Sequence, residues 1–174
     1  MNKRIIATVA CTTLGLINAS GFALADSIGR LECSIVGTPS QDPIGDRDGH
    51  RLASAQYSCL GVEGLLKGAM YTSSSASEWD GSQAKYVAGG GIMRAPGGLV
   101  VIQLNEGVGS VVMKDGKPAG SEASGKSLVK FASGAFAELA GRALRFDAKP
   151  AGFNRFTLEF TADTGAGALR SSKE

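Results

Sequence analysis

Asn154-Arg155-Phe156-Thr157-Leu158-Glu159-Phe160 alternates residue by residue. Phe156, Leu158 and Phe160 fall on one side of an extended chain, Arg155, Thr157 and Glu159 on the other. A period of two with its apolar residues on a single face marks a half-buried strand. The pattern recurs: Leu31, Cys33 and Ile35 share a face over 30–36, and Ala53, Ala55, Tyr57 and Cys59 over 52–60. In 142–148, Leu144 and Phe146 stand opposite Arg145 and Asp147.

Turn-forming residues punctuate these runs. Asp42-Pro43, Gly45 and Gly49 make 37–50 read as a polar loop, and Ser73 to Gly81 reads as a serine-rich turn carrying Trp79. Between them Leu65 to Thr72 reads as a strand, with Met70 facing inward. Gly89-Gly90-Gly91 predicts a bend, a bulge or a close backbone approach. Leu99 to Leu104 is apolar on both faces, as in a strand covered on each side. Asp115-Gly116 between extended runs predicts a type I′ hairpin turn, and Pro118 then suits the start of an edge strand. Ser133 to Leu144 fits a short helix near 134–141, capped by Ser133, or a loop.

No βαβ alternation and no repeat is present. The chain therefore reads as all-β: a single antiparallel β-barrel or β-sandwich of about 8–10 short strands. Its 25 glycines among 174 residues favour a curved, closed barrel, because glycine lets strands turn tight corners.

The first 25 residues read as a signal peptide. Lys3 and Arg4 precede an apolar run from Ile5 to Ile17, and Ala23-Leu24-Ala25 offers a cleavage site before Asp26. Residues 26–174 then form one exported domain, periplasmic or secreted from a bacterium, with no transmembrane span. Without Lys3 and Arg4 the acidic and basic residues balance, and no Lys/Arg run remains, so nucleic acid is not an expected partner. Cys11 belongs to the leader. Cys33 and Cys59 remain, both on inward positions, and in an oxidising compartment they are expected to pair.

Residues with chemical potential are sparse. His50, the single histidine, reads as an exposed loop residue, although a triad with Asp46 or Asp48 is conceivable. Asp42, Asp46 and Asp48 present carboxylates that suit calcium, but the EF-hand spacing is missing. Trp79 between Glu78 and Asp80 is the candidate ligand-binding cluster, since an aromatic face can stack on a ligand beside hydrogen-bonding acids. The glycine runs lack nucleotide-binding spacing, and no cofactor is implied.

The expectation is an exported, non-catalytic β-domain that binds a protein partner or a small ligand at the cell envelope. The alternatives are a small secreted hydrolase and a self-assembling envelope protein. Large inward residues such as Tyr57, Phe146, Phe156 and Phe160 predict a filled interior, which favours surface-mediated binding. A cavity of about 300 Å³ or more would favour the small ligand instead.

Overall fold

The computed structural model describes residues 27–163. The expected signal peptide and its cleavage point lie outside the described residues. Eight antiparallel strands run in sequence order, β1 (Ser27–Pro43), β2 (His50–Gly64), β3 (Met70–Asp80), β4 (Gln83–Ala95), β5 (Gly98–Lys114), β6 (Lys117–Ala132), β7 (Ala143–Pro150) and β8 (Arg155–Ala162). Each pairs with its neighbour, and β8 pairs back onto β1 to close a barrel. The closing register sets Leu158 against Leu31 and Phe156 against Cys33, so the most regular alternation in the sequence seals the seam.

Cys33 and Cys59 are directly opposite on β1 and β2 and form a disulfide, with their Cα atoms 4.0 Å apart. Both are buried. Asp115 and Gly116 have φ of 51° and 73°, the left-handed pair that a type I′ turn requires. Pro118 follows where β6 pairs with β5 alone, because β7 joins β6 only from Ala123 onward. Its missing N–H costs no ladder bond to β7.

Several segments differ from the sequence reading. Residues 37–43 continue β1 rather than forming a loop, and only 44–49 make the turn. Residues 65–69 connect β2 to β3, while the serine-rich stretch is strand β3 itself. Serine looks turn-like in isolation. Here pairing with β2 on one side and β4 on the other holds the stretch extended. That register turns Tyr71 inward and leaves Met70 exposed. Leu99 to Leu104 lacks an outer cover, because a single-layer barrel has only one interior. The triple glycine stays within β4, where a Cβ on Gly91 would lie 2.2 Å from the Thr72 carbonyl oxygen, so the strands approach too closely for a side chain. A register shift beside it leaves Val87 as an extra residue between Tyr86 and Ala88.

The predicted short helix is a 3-10 helix, Gly134–Leu139. Ser133 does not cap it; the Ser133 hydroxyl accepts a hydrogen bond from the Leu99 N–H at 3.3 Å instead. Phe136 and Leu139 are buried against β5 and β6. With Leu66 and Ala69 from the β2–β3 connection they close one end of the barrel. The other end carries the β1–β2, β3–β4, β5–β6 and β7–β8 turns.

Candidate functional site

The inward positions change in size from the plugged end to the open one. One row across the register reads Phe156, Cys33, Cys59, Tyr71, Met93 and Val100, which fills the barrel. The next includes Ile35, Tyr57, Ser73, Gly91 and Ile102. Beyond it come Ala55, Ser75 and Gly89, then Ala53, Ser77 and Tyr86. The last row starts with Arg51 and Trp79 and continues through Ala84, Gly109, Ala123 and Ala148. An eight-stranded barrel is just wide enough for large side chains to fill. Alanine, serine and glycine cannot fill it.

The result is a cup of about 730 Å³ in the open half of the barrel, with a further recess of about 80 Å³ beneath it. This corrects the expectation of a filled interior: the large side chains gather at the plugged end. Tyr57, Phe156 and Tyr86 line both spaces and form the floor of the cup. Tyr57 packs edge-to-face on Phe156 at 5.2 Å. Gly107 makes room for this layer, since a Cβ there would lie 3.2 Å from both Tyr86 and Phe146 ring atoms. Burial raises the pKa of the Tyr57, Tyr71 and Tyr86 hydroxyls, so all three are neutral at physiological pH.

Trp79 lines the cup near its rim, and its indole N–H donates to Ser77 Oγ at 3.0 Å. The Arg51 guanidinium lies over the indole ring, 5.4 Å from its centroid. Phe153, in the β7–β8 turn, is 92% exposed at the mouth. Strands β7 and β8 have only eight residues each, against 17 and 16 in β5 and β6, so the rim is low on that side.

The cluster of Glu78, Trp79 and Asp80 is divided by the strand pleat. Trp79 faces the cup, while Glu78 and Asp80 belong to the outer face together with His50. His50 is not an exposed loop residue. It begins β2 and is 7% exposed. Its Nδ1 bonds Asp46, and its Nε2 lies 2.7 Å from Glu78 Oε1. Arg47 bridges Asp46 and Asp80, each at 2.7 Å. These pairs fasten the β1–β2 turn to β3. A triad would leave the second ring nitrogen for a serine hydroxyl, but here a carboxylate takes it. Asp42 and Asp48 do not join Asp46 in a cation cage, and among the described residues no three His, Cys, Asp or Glu side chains converge on a metal-sized point.

The Asp46 hydrogen bond, followed by that of Glu78, raises the His50 pKa above its ordinary 6.5. Stabilisation from the charged imidazole is therefore complete below the unfolded value and is lost as pH rises through the higher folded value. Asp46 is shifted the other way by His50, so its contribution is lost only as pH falls into the carboxylate range. The melting temperature should decline as pH rises above about 6.5. His50→Gln should flatten that decline, and an equally steep decline in the variant would exclude His50 as its source.

Outside the cup, exposed Leu60 and Met70 are register partners and Phe131 faces Val101, while the outer positions of β6 to β8 carry Lys126, Arg145, Asp147 and Glu159. Among the described residues no helix is long and apolar enough to cross a membrane. No protein-family model, curated protein or solved structure matches this chain.

Proposed function

We propose that this protein is a non-catalytic binding domain that takes a small, largely apolar ligand into the open half of its barrel. The carrying observation is the cup of about 730 Å³, floored by Tyr57, Tyr86 and Phe156 and walled by alanines and serines. Ligand sites are typically concave, mostly apolar and about 300–1,000 Å³ in volume. Burial of an apolar ligand against such a floor supplies affinity without any reacting group. The one histidine stands on the opposite side of the wall with both ring nitrogens engaged, which favours binding over hydrolysis. The outer charges on β6 to β8 favour a water-facing barrel over a lipid-facing one.

Export to the periplasm belongs to the same proposal. It rests on the leader-like first 25 residues and on a buried disulfide, a bond that persists in oxidising compartments. N-terminal sequencing of protein recovered from the periplasm should begin at Asp26.

Trp79 is the only tryptophan in the chain, so it reports on the cup directly. The neutral probe N-phenyl-1-naphthylamine should gain fluorescence on binding and quench Trp79. Ala55→Phe, which places a ring in the cup, should weaken that binding by about tenfold or more with the melting temperature retained. Absence of saturable binding by this probe and by a panel of apolar compounds of similar size would overturn the reading. So would binding that Ala55→Phe leaves untouched.

A further inference from the structure

We infer that the ligand is an amphipathic organic anion whose acidic head is received by Arg51 at the rim. The inference rests on the cup reading and specifies what the cup selects.

Arg51 is an inward position on β2, one step toward the mouth from Ala53. Its register partners are Pro43 on β1 and Trp79 on β3, neither of which can neutralise a cation by ion pairing. The nearby acids Glu78 and Asp80 face outward and are held by His50 and Arg47. No carboxylate among the described residues lines the cup, while both Arg51 and Arg155 do. Among the described residues the ion pairs formed by arginine use Arg30, Arg47 and Arg145, not these two.

Arg51 Nε is also buried without a hydrogen-bond acceptor, the one such side-chain atom among the described residues. A buried donor without a partner is costly, and for a guanidinium the cost is greater still. The cation–π contact with Trp79 favours the charge without satisfying its N–H bonds. An anionic oxygen entering the cup would meet the Arg51 side chain that lines it and give the guanidinium a charge-assisted acceptor. The positive rim above an aromatic floor then matches a ligand with an acidic head and an apolar body. Carboxylate, sulfonate and phosphate-monoester heads share this chemistry. Arg155, exposed at the low side of the rim, would attract the anion over a distance without fixing it.

A matched pair of probes separates this inference from the cup itself. 1-Anilinonaphthalene-8-sulfonate has the body of N-phenyl-1-naphthylamine with an added sulfonate. The wild-type protein should bind the sulfonate about tenfold or more tightly than the neutral probe. Arg51→Gln should abolish that preference, read as the ratio of the two affinities in the same variant. Arg51→Lys should keep part of it, and Arg155→Gln, which removes the same charge, should keep most. Decanoate or decyl phosphate should displace the bound sulfonate well below the concentration at which decanol does, and the more effective of the two identifies the head group. Neutral binding without any preference for the sulfonate in the wild-type protein would overturn the inference and leave the cup standing. A preference unchanged in Arg51→Gln, or equal displacement by decanol, would overturn it as well. Failure of both probes would instead remove the cup. The wild-type comparison and the displacement series need no variant, so poor folding of Arg51→Gln leaves the test intact.

Discussion

Phe160→Ala is expected to lower stability by about 3–5 kcal/mol, the range for removing a buried phenylalanine ring. Phe160 is 2% exposed and sits on the closing strand β8, between Gly29 of β1 and Phe146 of β7. Its ring meets Tyr71 edge-on at 6.2 Å, so truncation removes an aromatic pair as well as buried area. The barrel cannot collapse around the loss, because backbone ladders on both sides hold its circumference. The void would open into the recess beneath the cup, which Phe160 lines. The urea midpoint should therefore fall with little change in slope. A loss below about 1 kcal/mol would mean that the floor repacks and that the layer is not rigid.

Removing the disulfide should cost about 2–4 kcal/mol, whether by reduction or by the paired change Cys33→Ala and Cys59→Ala. The two cysteines are 26 residues apart, and loop closure of that length accounts for about 3–4 kcal/mol through the unfolded state. The bond staples the β1–β2 hairpin rather than the seam, since β8 carries no cysteine. The reduced protein should accordingly keep its β-type circular dichroism and melt at a lower temperature. Loss of β structure at room temperature on reduction would show that the hairpin does not stand without the bond. Two free thiols in protein recovered from the periplasm would refute the pairing.

The cup was the part least legible in the sequence. Periodicity counts large apolar residues, and those of the plugged end stood out: Leu31, Leu144, Leu158 and Phe160 are all buried where alternation placed them. Ala53, Ala55, Ser75 and Ser77 carry almost no periodic signal. Their meaning lies in which strands they face. Ser73 to Ser77 read as a turn by composition, yet two flanking ladders outweigh that preference. Trp79 was singled out for its neighbours Glu78 and Asp80, but consecutive side chains on a strand point to opposite faces. The rule that identified the strands also separates that cluster once the segment is known to be extended. Arg51 drew no attention, because an isolated arginine next to a loop looks solvated.

Local pattern was enough for the all-β class, the Asp115-Gly116 turn and the pairing of Cys33 with Cys59. Each depends on local alternation or on a dipeptide that tolerates positive φ; Cys33 and Cys59 both fall on inward positions of alternating segments. Closure, the cup and the arginine at its rim depend on long-range pairing. Closure is a set of hydrogen bonds between the first strand and the last, and short-range pattern does not reach across that distance. The cup exists because small residues from β2, β3, β6 and β7 line one space, and among the described residues Arg51 forms no ion pair because the pleat turns Glu78 and Asp80 to the other face.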